Sequence, residues 1–459
     1  MFANTNSREV PREAPRVPLI TALLLLLLSI QPAVAGPLIK SWNTGNGARV
    51  MFVEAPSIPM LDVRLVFDAG SARDNGKPGI ASMVSTLLAD GAGEWNADQL
   101  AERFEDVGAR FSTTSLRDMG IISLRTLTEK EVLDSSLETL EKVLSSPAFP
   151  QDAIERRKQQ RYVALEKQKE SPATTASIAF YRQLYGDHPY AHDPMGNAGS
   201  IEAMTRDDLV DWFNQYYVGN NAVIAIVGAV DRKQAEAIAE RLMSGVAAGG
   251  KPKPIPAVKV ADKGVEKRIE FVSSQTHLLF GQPVMARMDE DFFPLYVGNH
   301  MLGGSGLVSM LGEEVREKRG LAYSVSSHFL PMRGKGPYLF SAQTRNEQSE
   351  QTLEVMNKSL REFIEEGPTQ KRLTAAINNI SGSFPLRISS NSKIVEYLAM
   401  MGFYDYPLDH LDTFVEKVTA VTAEQVRDAF RSRINPEHFA VIRVGGSAQQ
   451  KDAAAAGKE

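Results

Sequence analysis

The sequence contains no cysteine among its 459 residues and only seven histidines, the first of which is His188. Without cysteine the protein can contain no disulfide, no thiolate metal site and no cysteine nucleophile. An unpaired thiol would be a liability in an oxidising bacterial periplasm, so the absence of cysteine is compatible with that compartment. A formal charge of −5 gives no electrostatic reason to expect nucleic acid or an anionic membrane as a partner.

A zinc-binding sequence motif is also absent. The pattern His-x-x-Glu-His, which supplies two zinc ligands and a general base from one helix, occurs nowhere in the chain. His188 and His192 have a helical i, i+4 spacing, but Pro189 follows His188 directly and disfavours a continuous helix. We interpret this pair as part of a structural loop, and a hydrolase with another metal arrangement around it is the alternative.

Long apolar runs are scarce, and the one that exists lies near the N-terminus. Three arginines precede Leu23–Leu28, and the small residues Ala33-Val-Ala35 follow before Gly36. This pattern predicts a secretory signal peptide over residues 1–35 and a periplasmic protein. Because the run is shorter than the ~20 residues that span a bilayer, cleavage is favoured over an uncleaved anchor. No stable membrane span is expected after cleavage.

Two stretches about 217 residues apart share their spacing from end to end. They are Thr205–Gly228 and Thr422–Gly445, and each begins with a threonine followed three residues later by Asp or Gln. That is the pattern of a capped helix start, and each stretch ends in an apolar, strand-like run closed by glycine. A fainter correspondence joins Val84–Gly93 with Val297–Gly306. The chain is therefore predicted to contain tandem copies of one domain.

The boundary between the copies is predicted at Ala247–Pro256, whose glycines and prolines suit an extended tether. We expect an N-terminal domain over residues 36–246, a linker over 247–262, a C-terminal domain over 263–450 and a disordered tail over 451–459. Short strands mix with long helical stretches in both halves, and the predicted helical stretches include residues 96–107, 129–144 and 349–366. This mixture predicts the α+β class, with a sheet backed by helices in each domain.

The second copy contains the segment that is most informative about function. Leu311-Gly-Glu-Glu-Val-Arg316-Glu-Lys-Arg-Gly-Leu-Ala-Tyr323 resembles the substrate-clamping Arg/Tyr pair of the insulinase/pitrilysin family of zinc peptidases, to which the mitochondrial processing peptidases also belong. In that family the two side chains bind the scissile peptide from the face opposite the zinc. The resemblance implies the same role for Arg316 and Tyr323. The alternative is a surface arginine on a charged helix, followed by a tyrosine in a strand.

The zinc-binding segment of that family is degenerate in this chain. Its helix would follow Gly79-Ile-Ala, but Ser82, Ser85 and Thr86 stand in place of the histidine, glutamate and second histidine. Hydroxyl groups are weak zinc ligands and cannot serve as a carboxylate base. The family's third ligand would fall near Ala164, with Glu166 as an alternative alignment. No metal is expected in this chain.

A glycine-rich segment precedes the Arg/Tyr pair. It consists of Leu302, Gly303, Gly304, Ser305 and Gly306, and it lacks the Lys-Ser/Thr of a phosphate-binding loop. In relatives a similar stretch borders the substrate chamber. A peptide contact is one interpretation, and a simple turn between two helices is the other.

The resemblance covers nearly the whole chain after residue 36 and implies a specific architecture. It predicts two similar α+β domains with mostly antiparallel sheets, which form half of a clamshell and pair with a second such chain. The implied function is the non-zinc-binding subunit of a heterodimeric periplasmic peptidase for unfolded peptides, inactive alone, with the zinc on a homologous HxxEH subunit. The alternative is a catalytically inert scaffold or peptide-binding protein.

Overall fold

The computed structural model describes residues 36–446. The predicted signal peptide over residues 1–35 and the predicted tail over 451–459 lie outside the described residues. Among residues 36–446, no helix combines the length and apolarity needed to cross a membrane.

The first half is built on a six-stranded sheet with strand order β1-β2-β8-β3-β7-β6. Its strands are β1 (Lys40–Asn43), β2 (Arg49–Glu54), β3 (Met60–Phe67), β6 (Arg110–Ser115), β7 (Gly120–Leu127) and β8 (Ala222–Gly228). A separate two-stranded ribbon consists of β4 (Gly91–Ala92) and β5 (Trp95–Asn96). Only the β2–β8 pair of the larger sheet is parallel. β8 is buried along its whole length, as expected for a central strand covered on both faces.

Eight α-helices accompany this sheet within the described residues. They are α1 (Ile80–Leu87), α2 (Ala97–Glu105), α3 (Lys130–Ser145), α4 (Gln151–Lys169), α5 (Pro172–Tyr185), α6 (Ala198–Ala203), α7 (Arg206–Tyr216) and α8 (Arg232–Met243). Most of them present an apolar face to a common core with the sheet.

The second half is built on a five-stranded sheet with strand order β11-β12-β10-β13-β9. Its strands are β9 (Val265–Ile269), β10 (Gln275–Met285), β11 (Ala322–Phe329), β12 (Gly336–Arg345) and β13 (Ala440–Val444). Its α-helices are α9 (Phe292–Asn299), α10 (Ser349–Glu366), α11 (Gln370–Arg387), α12 (Asn391–Phe403), α13 (His410–Thr419) and α14 (Ala423–Arg433). Only the β13–β9 pair is parallel.

The repeated sequence pattern forms the same local structure in both halves. The Thr205 hydroxyl accepts the N–H of Asp208, whose carboxylate accepts the N–H of Thr205, and α7 follows. Thr422 and Gln425 form the same capping box at the start of α14. Each helix leads into a central strand, β8 or β13. The α+β class and the mostly antiparallel sheets are confirmed.

Each half also contributes one helix to the sheet of the other half. Helix α5 of the first half packs on β10 and β13, and α12 of the second half packs on β2, β3 and β8. The α12 contact is so close that a Cβ added at Gly402 would lie 2.4 Å from Cγ1 of Val223. From Leu38 onward the described chain is one compact unit, with no helix or strand between Met243 and Val265. A division into two domains stays a prediction.

The two halves share one buried carboxyl group. Asp118 is 4% exposed, and its Oδ1 accepts the hydroxyl of Tyr190 at 2.6 Å. Its Oδ2 accepts the hydroxyl of Tyr404 at 2.8 Å and the N–H of Arg333 at 2.7 Å, both from the second half. Burial, and then the proximity of Asp118, raise the pKa of both tyrosines, so their hydroxyls stay protonated and donate. Asp118 therefore joins the two halves through buried hydrogen bonds.

Candidate functional site

Helix α1, which carries the degenerate zinc-motif positions, is fixed at its start by a buried carboxyl group. Asp74 accepts the N–H groups of Gly79 at 2.7 Å and Ala81 at 3.1 Å. The Nε2 atom of His192 lies 2.8 Å from Asp74 Oδ2, the oxygen that also accepts the Gly79 N–H. Burial raises the pKa of Asp74, while the hydrogen bond with His192 acts in the opposite direction. His192 therefore supports a helix cap.

The face of α1 that would carry the ligands is turned toward α4. Arg161 of α4 donates from Nη2 to Ser82 Oγ at 2.7 Å and to Thr86 Oγ1 at 3.5 Å. Its Nη1 atom donates to the Met195 carbonyl at 3.3 Å. Ser85 points away from solvent and is buried. The guanidinium of Arg161 thus lies against the two residues that stand in place of histidines.

The two residues considered for the third ligand position lie further along α4. Ala164 follows Arg161 by three residues and has no ligating side chain. Glu166 is exposed, and its carboxylate pairs with Lys169 at 2.6 Å. Sequence reasoning missed Arg161, although it lies one helical turn before Ala164 and therefore on the same face of α4.

These residues do not fit a zinc ion. Zinc is held by imidazole, thiolate or carboxylate ligands, and a guanidinium at the same place would repel the metal. Residues 36–446 contain no group of three or more His, Cys, Asp or Glu side chains that could hold a metal ion. His188 and His192 do not converge, because His188 Nε2 lies 2.9 Å from the Pro256 carbonyl and His192 contacts Asp74.

The Arg/Tyr pair lies at the entrance to the second sheet, where the backbone is irregular. The sequence pattern around Arg316 predicts a charged α-helix, but the structure forms a π-helical turn over Gly312–Glu317. Gly320, at φ +60°, ends the helical segment before β11. In β11 the pairing with β12 shifts between Ala322 and Ser324, so that Tyr323 is the extra residue of a β-bulge. Bulges and π-turns redirect side chains and are frequent at functional sites.

This geometry brings the two predicted clamp residues together on the surface. The Cζ atom of Arg316 lies 4.8 Å from the centre of the Tyr323 ring, a cation–π contact. Tyr323 is 81% exposed, and its hydroxyl makes no hydrogen bond within the described residues. Both donors are therefore available to a ligand.

The charged residues around Arg316 are paired more tightly than Arg316 itself. Glu313 accepts a hydrogen bond from Arg372 at 2.5 Å, which lowers the pKa of Glu313. Glu314 is held in the same way by neighbouring basic side chains. Within the described residues, the only carboxylate that pairs with Arg316 is that of Glu317, at 3.6 Å. Arg316 is consequently the cation of this run that is freest to bind an anionic group.

The glycine-rich segment has a packing explanation at two of its positions. A Cβ at Gly303 would lie 2.2 Å from Ser327 Oγ, and one at Gly304 would lie 2.8 Å from Asn299 Nδ2. Both glycines belong to a second π-helical turn, which continues α9. Gly306 has φ +64° and open space around it, and Ser305 precedes it. A peptide contact by Gly303, Gly304, Ser305 or Gly306 stays a prediction.

Comparisons with known proteins identify the family. Residues 49–196 match the model of the insulinase family, peptidase family M16, and residues 203–380 match that of the peptidase M16 inactive domain. The crystal structure of the peptidase M16 inactive domain from Pseudomonas fluorescens is similar with a TM-score of 0.87 and 37% identity, over 89% of this chain and 98% of that chain. The chain belongs to the peptidase M16 family. The predicted family resemblance is confirmed.

The chain is similar both to an M16 relative named as a non-peptidase and to one named as a protease. The "Non-peptidase homolog YmxG" of Helicobacter pylori is 28% identical over 435 residues, which cover 92% of this chain and 98% of the relative. The periplasmic protease PqqL from Escherichia coli shares the fold, with a TM-score of 0.75 and 16% identity, over 90% of this chain and 46% of that chain. Together with the degenerate zinc positions, the inactive relatives support an M16 chain that is inactive as a peptidase on its own.

Proposed function

We propose that this M16 chain is the non-zinc-binding subunit of a heterodimeric periplasmic metallopeptidase. In this proposal Arg316 and Tyr323 clamp the peptide substrate for an active site on a homologous HxxEH subunit. Two observations carry it. Arg316 is weakly paired and contacts the exposed Tyr323, whereas the former metal position faces Arg161.

The chemistry of peptide hydrolysis explains why such a pair is useful. Attack on a peptide carbonyl places negative charge on its oxygen, and preorganised donors aimed at that charge lower the barrier. Arg316 supplies a permanent cation and Tyr323 a neutral hydroxyl donor, and the two side chains are in contact. The partner's zinc would activate the water. This chain would bind and orient the substrate.

Sequence features support the location and the pairing. The pattern over residues 1–35 is that of a secretory signal peptide, and one protein of the same fold is described as periplasmic. The family resemblance implies a second chain of similar fold that closes a chamber. Enclosure would favour unfolded peptides, which can enter a chamber that folded proteins cannot.

The test is a reconstitution with a homologous subunit that carries HxxEH. The purified chain alone should not cleave an unstructured fluorogenic peptide, and the mixture should cleave it in a zinc-dependent manner. Arg316→Ala and Tyr323→Phe should each lower kcat by about 10²- to 10³-fold, because each removes a donor to the developing charge. Subunit association, measured by analytical ultracentrifugation, should be unchanged.

Matched substitutions control for general effects. Arg319→Ala removes an exposed arginine of the same charged run, and Tyr162→Phe removes a hydroxyl from α4. Both variants should keep kcat within twofold of the wild-type value, which corresponds to a change of roughly 0.4 kcal/mol in the activation free energy. Full turnover in both clamp variants would refute the clamp, as would zinc-dependent cleavage by the rigorously purified chain alone.

A second candidate function is an inert scaffold or peptide-binding protein. The name of the Helicobacter pylori relative, a non-peptidase homolog, favours it. This candidate predicts that Arg316→Ala and Tyr323→Phe change neither peptide affinity nor the activity of any M16 partner.

A further inference from the structure

The backbone of Leu321 lies between the two clamp residues in the chain and is held from both sides. Its N–H donates to the carbonyl of Val315 at 2.9 Å, and Val315 directly precedes Arg316. Its carbonyl, two residues before Tyr323, accepts the hydroxyl of Thr344 at 2.6 Å. The position of this one peptide backbone therefore affects both side chains of the pair.

The hydroxyl of Thr344 is buried and lies where the strand pairing is irregular. Thr344 belongs to β12, is 1% exposed and pairs with Ala322 of β11. The next pairing along the two strands joins Gln343 to Ser324, so the bulge at Tyr323 begins directly beside Thr344. A β-bulge leaves its extra residue unpaired and locally disrupts the ladder. A side-chain hydrogen bond at this point fixes backbone that the ladder leaves unsupported.

A second buried hydroxyl group supports the first. Thr352, near the start of α10, is fully buried, and its Oγ1 lies 3.0 Å from Thr344 Oγ1 and 2.8 Å from the carbonyl of Gln348. The hydrogen of the Thr344 hydroxyl is used by the Leu321 carbonyl, so the Thr344 oxygen is able to accept from Thr352. Because an unpaired buried hydroxyl costs free energy, these contacts restrict Thr344 to one orientation.

We infer that Thr344 is a positioning residue for the clamp: its hydroxyl holds the Leu321 backbone so that Tyr323 lies beside Arg316. Thr344 is itself buried and does not reach the surface on which a substrate would lie. The inference rests on the proposed function only for its effect on turnover, because the contact between Arg316 and Tyr323 can be measured on this chain alone.

Fluorine NMR of the isolated full chain, labelled with 3-fluorotyrosine, reports on the surroundings of the Tyr323 ring. The resonance that Tyr323→Phe removes belongs to this ring, and Arg316→Ala should shift it because the ring loses its cationic neighbour. Thr344→Val removes the hydroxyl and keeps the branched shape of the side chain, and it should shift the same resonance. Thr344→Ala is a second variant without the donor. Thr344→Ser keeps the donor and should leave the resonance at its wild-type position.

The reconstituted heterodimer measures the consequence for turnover. Thr344→Val should lower kcat about tenfold and change KM by less than about twofold, because donors aimed at the developing charge act in the transition state. Thr344→Ser should recover kcat to within about threefold of the wild-type value, since it restores the hydrogen bond to Leu321.

The matched control is Thr126→Val in the other sheet. Thr126 of β7 is 2% exposed, and its hydroxyl is hydrogen-bonded to that of Ser136 at 2.8 Å. This variant also loses a buried hydroxyl group. It should lower the Tm as Thr344→Val does, but it should change neither the Tyr323 resonance nor kcat.

Three results would overturn the inference. One is an unshifted Tyr323 resonance in both Thr344→Val and Thr344→Ala, and another is a shift of equal size in Thr344→Ser or Thr126→Val. The third is wild-type kcat in Thr344→Val together with a reduced kcat in Arg316→Ala. Full turnover in Arg316→Ala and Tyr323→Phe would contradict the proposed function instead, and the resonance would still decide the role of Thr344.

Discussion

Each half contains an arginine beside a candidate site position, and the surroundings of the two arginines differ. In the first half Arg161 lies between α1 and α4, against the hydroxyls of Ser82 and Thr86. In the second half Arg316 lies at the surface beside Tyr323, next to backbone that departs from regular helix and strand. The comparison teaches that the packing of two helices places one arginine against neutral hydroxyl groups, whereas irregular backbone places the other beside an exposed tyrosine.

The strongest way to break this contrast is to rebuild a zinc site in the first half. The triple substitution Ser82→His, Thr86→His and Arg161→Glu should create a site with two imidazoles and one carboxylate. We expect a zinc Kd in the micromolar range or below, which corresponds to about 8 kcal/mol. Competition with a chromophoric chelator and metal analysis of the purified variant measure it.

A matched triple variant identifies the position of the third ligand. It carries the same two histidines with Ala164→Glu and keeps Arg161. The guanidinium remains against the new imidazoles, so zinc should bind at least roughly tenfold more weakly, about 1.4 kcal/mol. Tighter zinc binding by the Ala164→Glu variant would show that Arg161 does not occupy the ligand position.

A second way to break the comparison is to remove the carboxyl group that joins the halves. Asp118→Ala leaves the hydroxyls of Tyr190 and Tyr404 and the N–H of Arg333 without their acceptor. We expect the free energy of unfolding to fall by about 3–5 kcal/mol, measured by urea denaturation.

The control removes a carboxylate that also contacts the other half but lies at the surface. Asp405 pairs with Arg49 at 2.8 Å, and its side chain is 78% exposed. Asp405→Asn removes the charge and suits the positive φ of 58° at this position, so it should change the free energy of unfolding by no more than about 0.5 kcal/mol. Equal losses in the Asp118 and Asp405 variants would remove the special role of the buried group.

A fall in pH should lower the free energy of unfolding through the second half, because this half contains several histidines that resist protonation. Burial lowers the pKa of His277, His300, His328 and His410. For His410 the fall is from 6.5 to about 4. As the pH drops through this window the unfolded chain takes up a proton that the folded chain does not, so stability is lost between about pH 6.5 and 4.

The expected contribution of His410 is about 3 kcal/mol across that window. His410→Gln should therefore flatten the pH dependence of the free energy of unfolding between about pH 7 and about pH 4.5. Hydrogen exchange should lose protection first in the second half. A wild-type pH dependence that the substitution leaves unchanged would contradict the assignment to His410.

Much of the local structure could be predicted from sequence. The threonines at 205 and 422 begin helices because a hydroxyl three residues before an Asp or Gln satisfies the free N–H groups of a first turn. The predicted helical stretches at 96–107 and 129–144 correspond to α2 and α3 within two residues at each end. These features depend on contacts between residues that are close in the chain.

The rest depends on contacts that sequence periodicity does not encode. Arg161 meets Ser82 across 79 residues, through the packing of α4 on α1. The bulge at Tyr323 depends on a register shift against β12, and the π-turn at Arg316 depends on its neighbours. The resemblance identified Arg316 and Tyr323 as candidate clamp residues, and the structure shows that the two side chains are in contact.

The exchange of helices between the sheets has a consequence for cleavage of the chain. The segment between Met243 and Val265 is free of regular structure and is the natural place for a proteolytic nick. The two fragments produced there would remain associated. Separation would remove α5 from the sheet of the second half and α12 from the sheet of the first half, and each sheet would lose part of its core. A nicked molecule should thus behave as a non-covalent complementation pair.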